Sequence, residues 1–295
     1  MHERHRKIEA RAADLGNGMV IRRALPTRQR RMVGAWCFLD HAGPLTFEPG
    51  HGMSVGAHPH TALQTFSWLI EGEVLHRDSL GNAQIIRPGQ VNLMTAGRGI
   101  VHTEESLPGE RRLHLAQLWI ALPSGVADCE PAFDHYPELP RWEAGGCTLT
   151  LLAGSFAGHI APAKLHSPLV GVDIAGAQGG VLELALDPAF EYGILPLEGS
   201  LRIGAEHFAT DEFAYLGTGA ETLRVELAPG TRILLLGGEP FAEQIVMWWN
   251  FVGYSREEIA RAQRDWESGA PRFGEVAGHE GKRLAAPPLP WAVNG

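Results

Sequence analysis

His58-Pro59-His60-Thr61-Ala62-Leu63-Gln64-Thr65-Phe66-Ser67-Trp68-Leu69-Ile70-Glu71-Gly72 is the stretch from which the rest of the chain is read. His58 and His60 stand at i and i+2, a spacing that puts both side chains on one face of an extended strand. Ala62, Gln64, Phe66, Trp68 and Ile70 continue that face, so a strand is predicted up to the turn at Glu71-Gly72. A second pair in the same phase, His102 and Glu104 of His102-Thr103-Glu104, follows a Gly97-Arg98-Gly99 corner, much as Gly56-Ala57 precedes the first pair. Two such strands running antiparallel in a small barrel would converge three imidazoles and one carboxylate on a point. That set suits a divalent transition metal and leaves coordination positions open for water, dioxygen or substrate.

Outward from this stretch the pattern is strand, turn, strand. Leu80-Gly81-Asn82 is a hairpin signal, Arg87-Pro88-Gly89 turns the chain again, and Ala96-Gly97-Arg98-Gly99 makes a tight corner. Residues 91–95, 100–105 and 113–122 read as strands between these turns. With 36 Gly and 20 Pro spread at short intervals, the prediction is an all-β sandwich or barrel rather than an α/β fold. A weak internal repeat joins the halves: Trp68-Leu69-Ile70-Glu71-Gly72-Glu73-Val74 resembles Leu195-Pro196-Leu197-Glu198-Gly199-Ser200-Leu201. Two copies of one barrel are the natural reading. The same separation places Ala185 and Asp187 where His58 and His60 stand, and no histidine occurs between Gly217 and Gly238, where His102 should have a counterpart. The chemistry is therefore expected in the first half. The expected division is a metal-binding barrel over 1–140, a second barrel without ligands over 141–250, and a helix and tail over 251–295. Ser255 and Glu258 form a capping box, Ile259, Ala262 and Trp266 follow at helical spacing, and Gly269 and Pro271 close the helix.

A formal charge of −9 argues against a direct grip on nucleic acid, which needs Lys and Arg against phosphate. Arg22, Arg23, Arg28, Arg30 and Arg31 read as a solvated surface. The three cysteines, Cys37, Cys129 and Cys147, are scattered and odd in number, so neither a disulfide framework nor a thiolate metal site is expected. No apolar run is long enough to span a bilayer and no secretory leader is seen, so a cytoplasmic protein with no membrane association is expected.

Three neutral imidazoles and a carboxylate suit Fe, Mn, Co, Ni, Cu or Zn, whereas Ca and Mg prefer oxygen shells. A structural zinc site would be closed and rich in thiolate. An open, redox-capable Fe2+ is the first choice. Glu104 shares the face of His102 and is assigned to the ion, while Glu105 points the other way. Gln64 could orient a ligand or a bound water, and packing serves it equally well. His41, His51 and His76 are read as satisfied or exposed histidines near the mouth. Of His114 and Gln117 at most one faces the cavity, and Trp248, Trp249 and Trp266 are read as core aromatics.

These residues resemble the pirin family of the cupin superfamily over nearly the whole chain. The stretches that carry the resemblance are Arg22-Arg23-Ala24-Leu25-Pro26, Phe38-Leu39-Asp40-His41, His58-Pro59-His60-Thr61 and Met94-Thr95-Ala96-Gly97-Arg98-Gly99-Ile100-Val101-His102-Thr103-Glu104. Gln117-Leu118-Trp119 and Val246-Met247-Trp248-Trp249-Asn250-Phe251-Val252 add to it. The resemblance implies two tandem cupin barrels with one iron in the first, held by His58, His60, His102 and Glu104. The general cupin pattern carries Glu where this chain has Gln64. Two roles of different kind are implied. One is a dioxygenase similar to quercetin 2,3-dioxygenase, acting on a chelating enol and O2, with Glu104 as the catalytic base. The other is an iron-binding, redox-sensing protein that modulates a transcription factor or metabolic enzyme. The enzyme is the preferred expectation, in a monomer.

Overall fold

Thr61 and Ala62 divide the opening stretch into two strands belonging to different sheets. The computed structural model describes residues 5–14, 19–279 and 281–291. Strand β1 (Ser54–His60) ends before this corner and β2 (Leu63–Glu71) begins after it. Ala62 adopts φ of 54°, a left-handed turn that swings the chain from one sheet to the other. The single continuous face expected from His58 to Ile70 is therefore corrected. Alternation holds within each strand, but the corner resets it.

The strands that follow are β3 (Val74–Asp78), β4 (Ala83–Ile86), β5 (Val91–Thr95), β6 (Ile100–Ser106), β7 (Arg112–Ala121) and β8 (Ala132–Tyr136). β8, β5, β2 and β7 lie side by side in one sheet, and β1, β6, β3 and β4 form a second, four-stranded sheet. All these pairings are antiparallel. Gly81 turns the β3–β4 hairpin, while Gly72 and Gly89 carry the chain from one sheet to the other, each at positive φ.

In the second half the same plan recurs. Glu191–Glu198 lies between Glu212–Leu216 and Thr231–Gly238, as β2 lies between β5 and β7, and Gly199 turns the chain where Gly72 does. Gly180–Ala185, Thr222–Leu227, Ser200–Ile203 and Glu206–Ala209 form the matching four-stranded sheet. Ala185 lies opposite Thr222 in that sheet. Its core is aliphatic and aromatic, with Leu149, Val172, Ile194, Phe208, Val225 and Leu235 buried. Both halves are thus cupin-like double sheets, and among the described residues no sheet closes on itself into a continuous barrel.

Compactness and chain order divide the molecule differently. One compact unit comprises Met1–His41 and Glu138–Phe241; the other comprises Ala42–Pro137 and Ala242–Gly295. The reason is pairing at long range. The first described strand, His5–Glu9, joins Glu212–Leu216, while the last part of the chain packs on β1 and β6. There helix α1 (Arg256–Glu267) is capped by Ser255, whose hydroxyl accepts from Glu258 N at 3.1 Å. Its Ile259, Ala262 and Trp266 meet Phe251, Phe273, Ala57 and Val101, the last two being neighbours of His58 and His102. No helix among the described residues is long and apolar enough to cross a membrane.

The unit carrying Glu191 has a buried polar anchor. Glu191 accepts hydrogen bonds from Gly34 N at 2.7 Å and from the Tyr215 hydroxyl at 2.7 Å, and pairs with Arg30. Removing one partner of such a set strands the others without compensation. Glu191→Ala is expected to cost about 3 kcal/mol in urea unfolding. A loss under about 1 kcal/mol would mean that the carboxylate does not hold this loop in place.

Candidate metal centre

The ladder between β1 and β6 sets His102 opposite His58 and Ile100 opposite His60. Between His102 and Glu104 the register slips, so that Glu104 faces Val55, and β1 carries one extra residue at Gly56-Ala57. That bulge presents the Gly56 carbonyl to its own neighbour: His58 Nδ1–H donates to it at 2.8 Å. His60 Nδ1–H donates to the Asn250 carbonyl at 3.1 Å. Asn250 belongs to the tight turn between Val246–Trp248 and Phe251–Gly253, where Trp249 takes φ of 53°. A carbonyl can only accept, so both rings carry their proton on Nδ1 and leave the Nε2 lone pair bare.

His102 is fixed from the opposite side. Its Nδ1 lies 3.3 Å from His76 Nδ1, and His76 Nε2–H donates to the Asp78 carboxylate at 3.0 Å. All of this is buried, with His58, His60, His76, His102 and Asp78 under 9% exposed. One candidate ligand nitrogen from each of His58, His60 and His102 falls within 4.8 Å of the other two. His60 Nε2 and His102 Nε2 stand 3.1 Å apart. With neither nitrogen protonated, two lone pairs at that distance repel unless a cation lies between them. The spacing also suits adjacent ligands each about 2.0–2.1 Å from one ion. The residues present therefore fit a divalent transition metal.

Electrostatics favours the same state. Burial holds His58 down to about 4 and, with the neighbouring imidazoles, holds His60 and His102 well below the ordinary value. Neutral imidazole is the form that binds metal. Burial pushes the Glu104 carboxyl up, opposed by His76 and by Ser67, whose hydroxyl is 3.5 Å away.

Of the four residues assigned from sequence, three histidines come together directly. Glu104 groups with His102 and His76 within the same 4.8 Å, so His102 is shared by two overlapping clusters. Glu105 instead pairs with Arg77. Gln64 donates to the Thr95 hydroxyl at 2.9 Å and lies in the core. His41 is bound to Asp211 at 2.7 Å, and His51 is exposed. Gln117 accepts from Ser67 at 2.8 Å, and Trp119 sets its ring edge against His60 at 5.1 Å. Trp266 is buried in the core as read, whereas Trp248 and Trp249 are only half-buried.

His76 and Asp78 are the residues that sequence reading passed over. Their signal was present: they too are an i, i+2 pair, and β3 sets His76 opposite Glu104 and Asp78 opposite His102.

A buried cluster of imidazoles in the first of two double-sheet halves, with none like it in the second among the described residues, is the arrangement of a two-domain cupin protein. The pirin family model matches residues 18–120, and the pirin C-terminal cupin domain model matches residues 171–274. The chain belongs to the pirin family. It is 62% identical over 99% of its length, and 94% of the other chain, to a Pseudomonas aeruginosa protein named "Putative quercetin 2,3-dioxygenase PA1205". A crystal structure of quercetin 2,3-dioxygenase from Acinetobacter baumannii superposes with a TM-score of 0.96 at 47% identity, covering 98% of this chain and 97% of that one. A bacterial pirin of Escherichia coli in complex with nickel(II) shares the fold, with a TM-score of 0.64 at 20% identity over 80% of this chain and 99% of that one.

Proposed function

We propose that the protein is a metal-dependent dioxygenase of the quercetin 2,3-dioxygenase type, with Fe2+ held by His58, His60, His102 and Glu104. Its substrate would be a flavonol or related chelating enol, opened with O2. The observation that carries this reading is the convergence of the buried His58, His60 and His102 imidazoles, two of them anchored through Nδ1 to backbone carbonyls, in a chain so similar to proteins named for that activity. When bound, the ion supplies Lewis acidity toward the enol oxygen and the redox chemistry that O2 requires.

The chain's own groups do the rest. The anchored imidazoles stay neutral and preoriented, so no reorganisation is needed when the site is filled. Glu104, whose carboxyl is pushed up by burial, takes the proton of the substrate 3-hydroxyl at a carboxylate oxygen. Ser67 and Gln117 form the hydrogen-bonded pair beside it. In the overall reaction both oxygen atoms of O2 enter the products, two ring carbon–carbon bonds break, and the carbon between them leaves as carbon monoxide.

The test is to add Fe2+ to metal-free protein and follow flavonol loss and carbon monoxide release in air. Absence of turnover with several chelating enols would overturn the enzymatic reading in favour of a metal-dependent regulator. Glu104→Gln separates base from ligand. As base, it is expected to lower kcat about 10²–10³-fold while metal affinity changes less than tenfold. Equal losses in both would make Glu104 a ligand and no more.

A further inference from the structure

We infer that His76 is a positioning residue: held by Asp78 and Phe133, it fixes the tautomer of His102 so that Nε2 presents its lone pair to the ion. The inference rests on the metal reading above and goes beyond it by assigning a role to a dyad outside the proposed ligand set.

Asp78 is pinned before it meets His76. Its Oδ1 accepts from Leu80 N at 2.9 Å, Asn82 N at 3.1 Å and Asn82 Nδ2 at 3.0 Å, all from the β3–β4 turn. Its Oδ2 is left to accept from His76 Nε2–H at 3.0 Å and from Asn82 Nδ2 at 2.9 Å. An acceptor fixed in this way draws the single ring proton of His76 onto Nε2.

The His76 ring has no freedom to turn over. It stacks on Phe133 with centroids 4.4 Å apart and planes inclined by 14°. Its Nδ1 lone pair must then face His102 Nδ1 at 3.3 Å, and only a proton on His102 Nδ1 satisfies both atoms. His58 and His60 obtain the same orientation from backbone carbonyls. His102 obtains it from a side chain, and so the control can be removed by mutation.

The experiment uses the full chain, metal-free, titrated at pH 8 with Co2+ against a competing chelator. His76→Leu removes the acceptor, whereas His76→Gln retains one. The Leu variant is expected to bind Co2+ about 10–100-fold more weakly, and the Gln variant within about threefold of the parent. Both should keep the parent's Co2+ absorption bands, because the ligands are unchanged. The inference is overturned if Leu binds within twofold of the parent, if Gln loses as much as Leu, or if the bands shift as they would on loss of a ligand. Should the Leu variant not fold, nitrogen-15 NMR of the Zn2+-loaded parent decides the matter. The expected result is a proton on His76 Nε2 and on His102 Nδ1; a proton on His76 Nδ1 overturns the proposal. A His58→Ala control that bound Co2+ like the parent would instead remove the metal reading itself.

Discussion

His102→Ala is expected to weaken Fe2+ or Co2+ binding by more than about 100-fold and to abolish flavonol turnover, a larger loss than that from removing a supporting group. The size follows from position. His102 belongs to both candidate ligand clusters, faces His58 across the ladder and has its Nε2 3.1 Å from that of His60. Removing it leaves two imidazoles on one side and a carboxylate on the other with nothing to connect them. The cleanest readout is thermal. A metal that binds only the folded chain stabilises it by about 2.7 kcal/mol at a hundredfold excess over Kd, so the parent should show a higher Tm with metal than without. The variant should show no such difference. A variant that kept the metal-dependent rise, or turned over at the parent rate, would detach this site from the proposed chemistry.

Gly97→Ala should be the most damaging small substitution near the site. Gly97 has φ of +50° and forms the corner before β6. A Cβ there would lie 2.0 Å from the Cys129 carbonyl oxygen and 2.8 Å from its carbon, both backbone atoms. That carbonyl already accepts from Arg98 N at 3.0 Å, and the Gly97 carbonyl accepts from Ala62 N at 2.8 Å. The contacts under 3.0 Å are thus both with backbone, and moving the Cys129 side chain would not relieve them. Left-handed strain and overpacking together are expected to cost about 2–5 kcal/mol, and displacement of β6 to weaken metal binding. Gly81→Ala is the control: φ is +87°, but no atom lies within 4 Å of its Cβ, so about 1 kcal/mol is expected. Similar urea midpoints for the two variants would show that the Cys129 contact relaxes freely.

What could be read from the chain follows from what is local. The i, i+2 spacing of His58 with His60 and of His102 with Glu104 is a property of extended backbone, and the ladder keeps it. The helix was legible because Ser255 and Glu258 announce its start. The repeat was legible because Gly72 and Gly199 make equivalent turns from one sheet to the other. The corner at Ala62 was not, since an alanine at positive φ carries no mark where a glycine would. Nor was the Asn250 carbonyl, because a backbone acceptor is independent of the side chain that bears it. His76 was read as a satisfied or exposed histidine near the mouth, and its partner Asp78 was missed because the residue at i+2 is an aspartate rather than a second imidazole. The pairing of His5–Glu9 with Glu212–Leu216 is set by the whole fold and has no local trace.

The Asn250 carbonyl and the Phe251–Trp266 cluster behind Ala57 and Val101 also bear on the order of events during synthesis. His58, His60 and His102 leave the ribosome well before Asn250, which aims His60, and before Phe251, Ile259 and Trp266, which back Ala57 and Val101. A nascent chain halted before that point would carry the donors without their final orientation. An ion bound by such a chain would be held without the orientation that the Asn250 carbonyl gives His60.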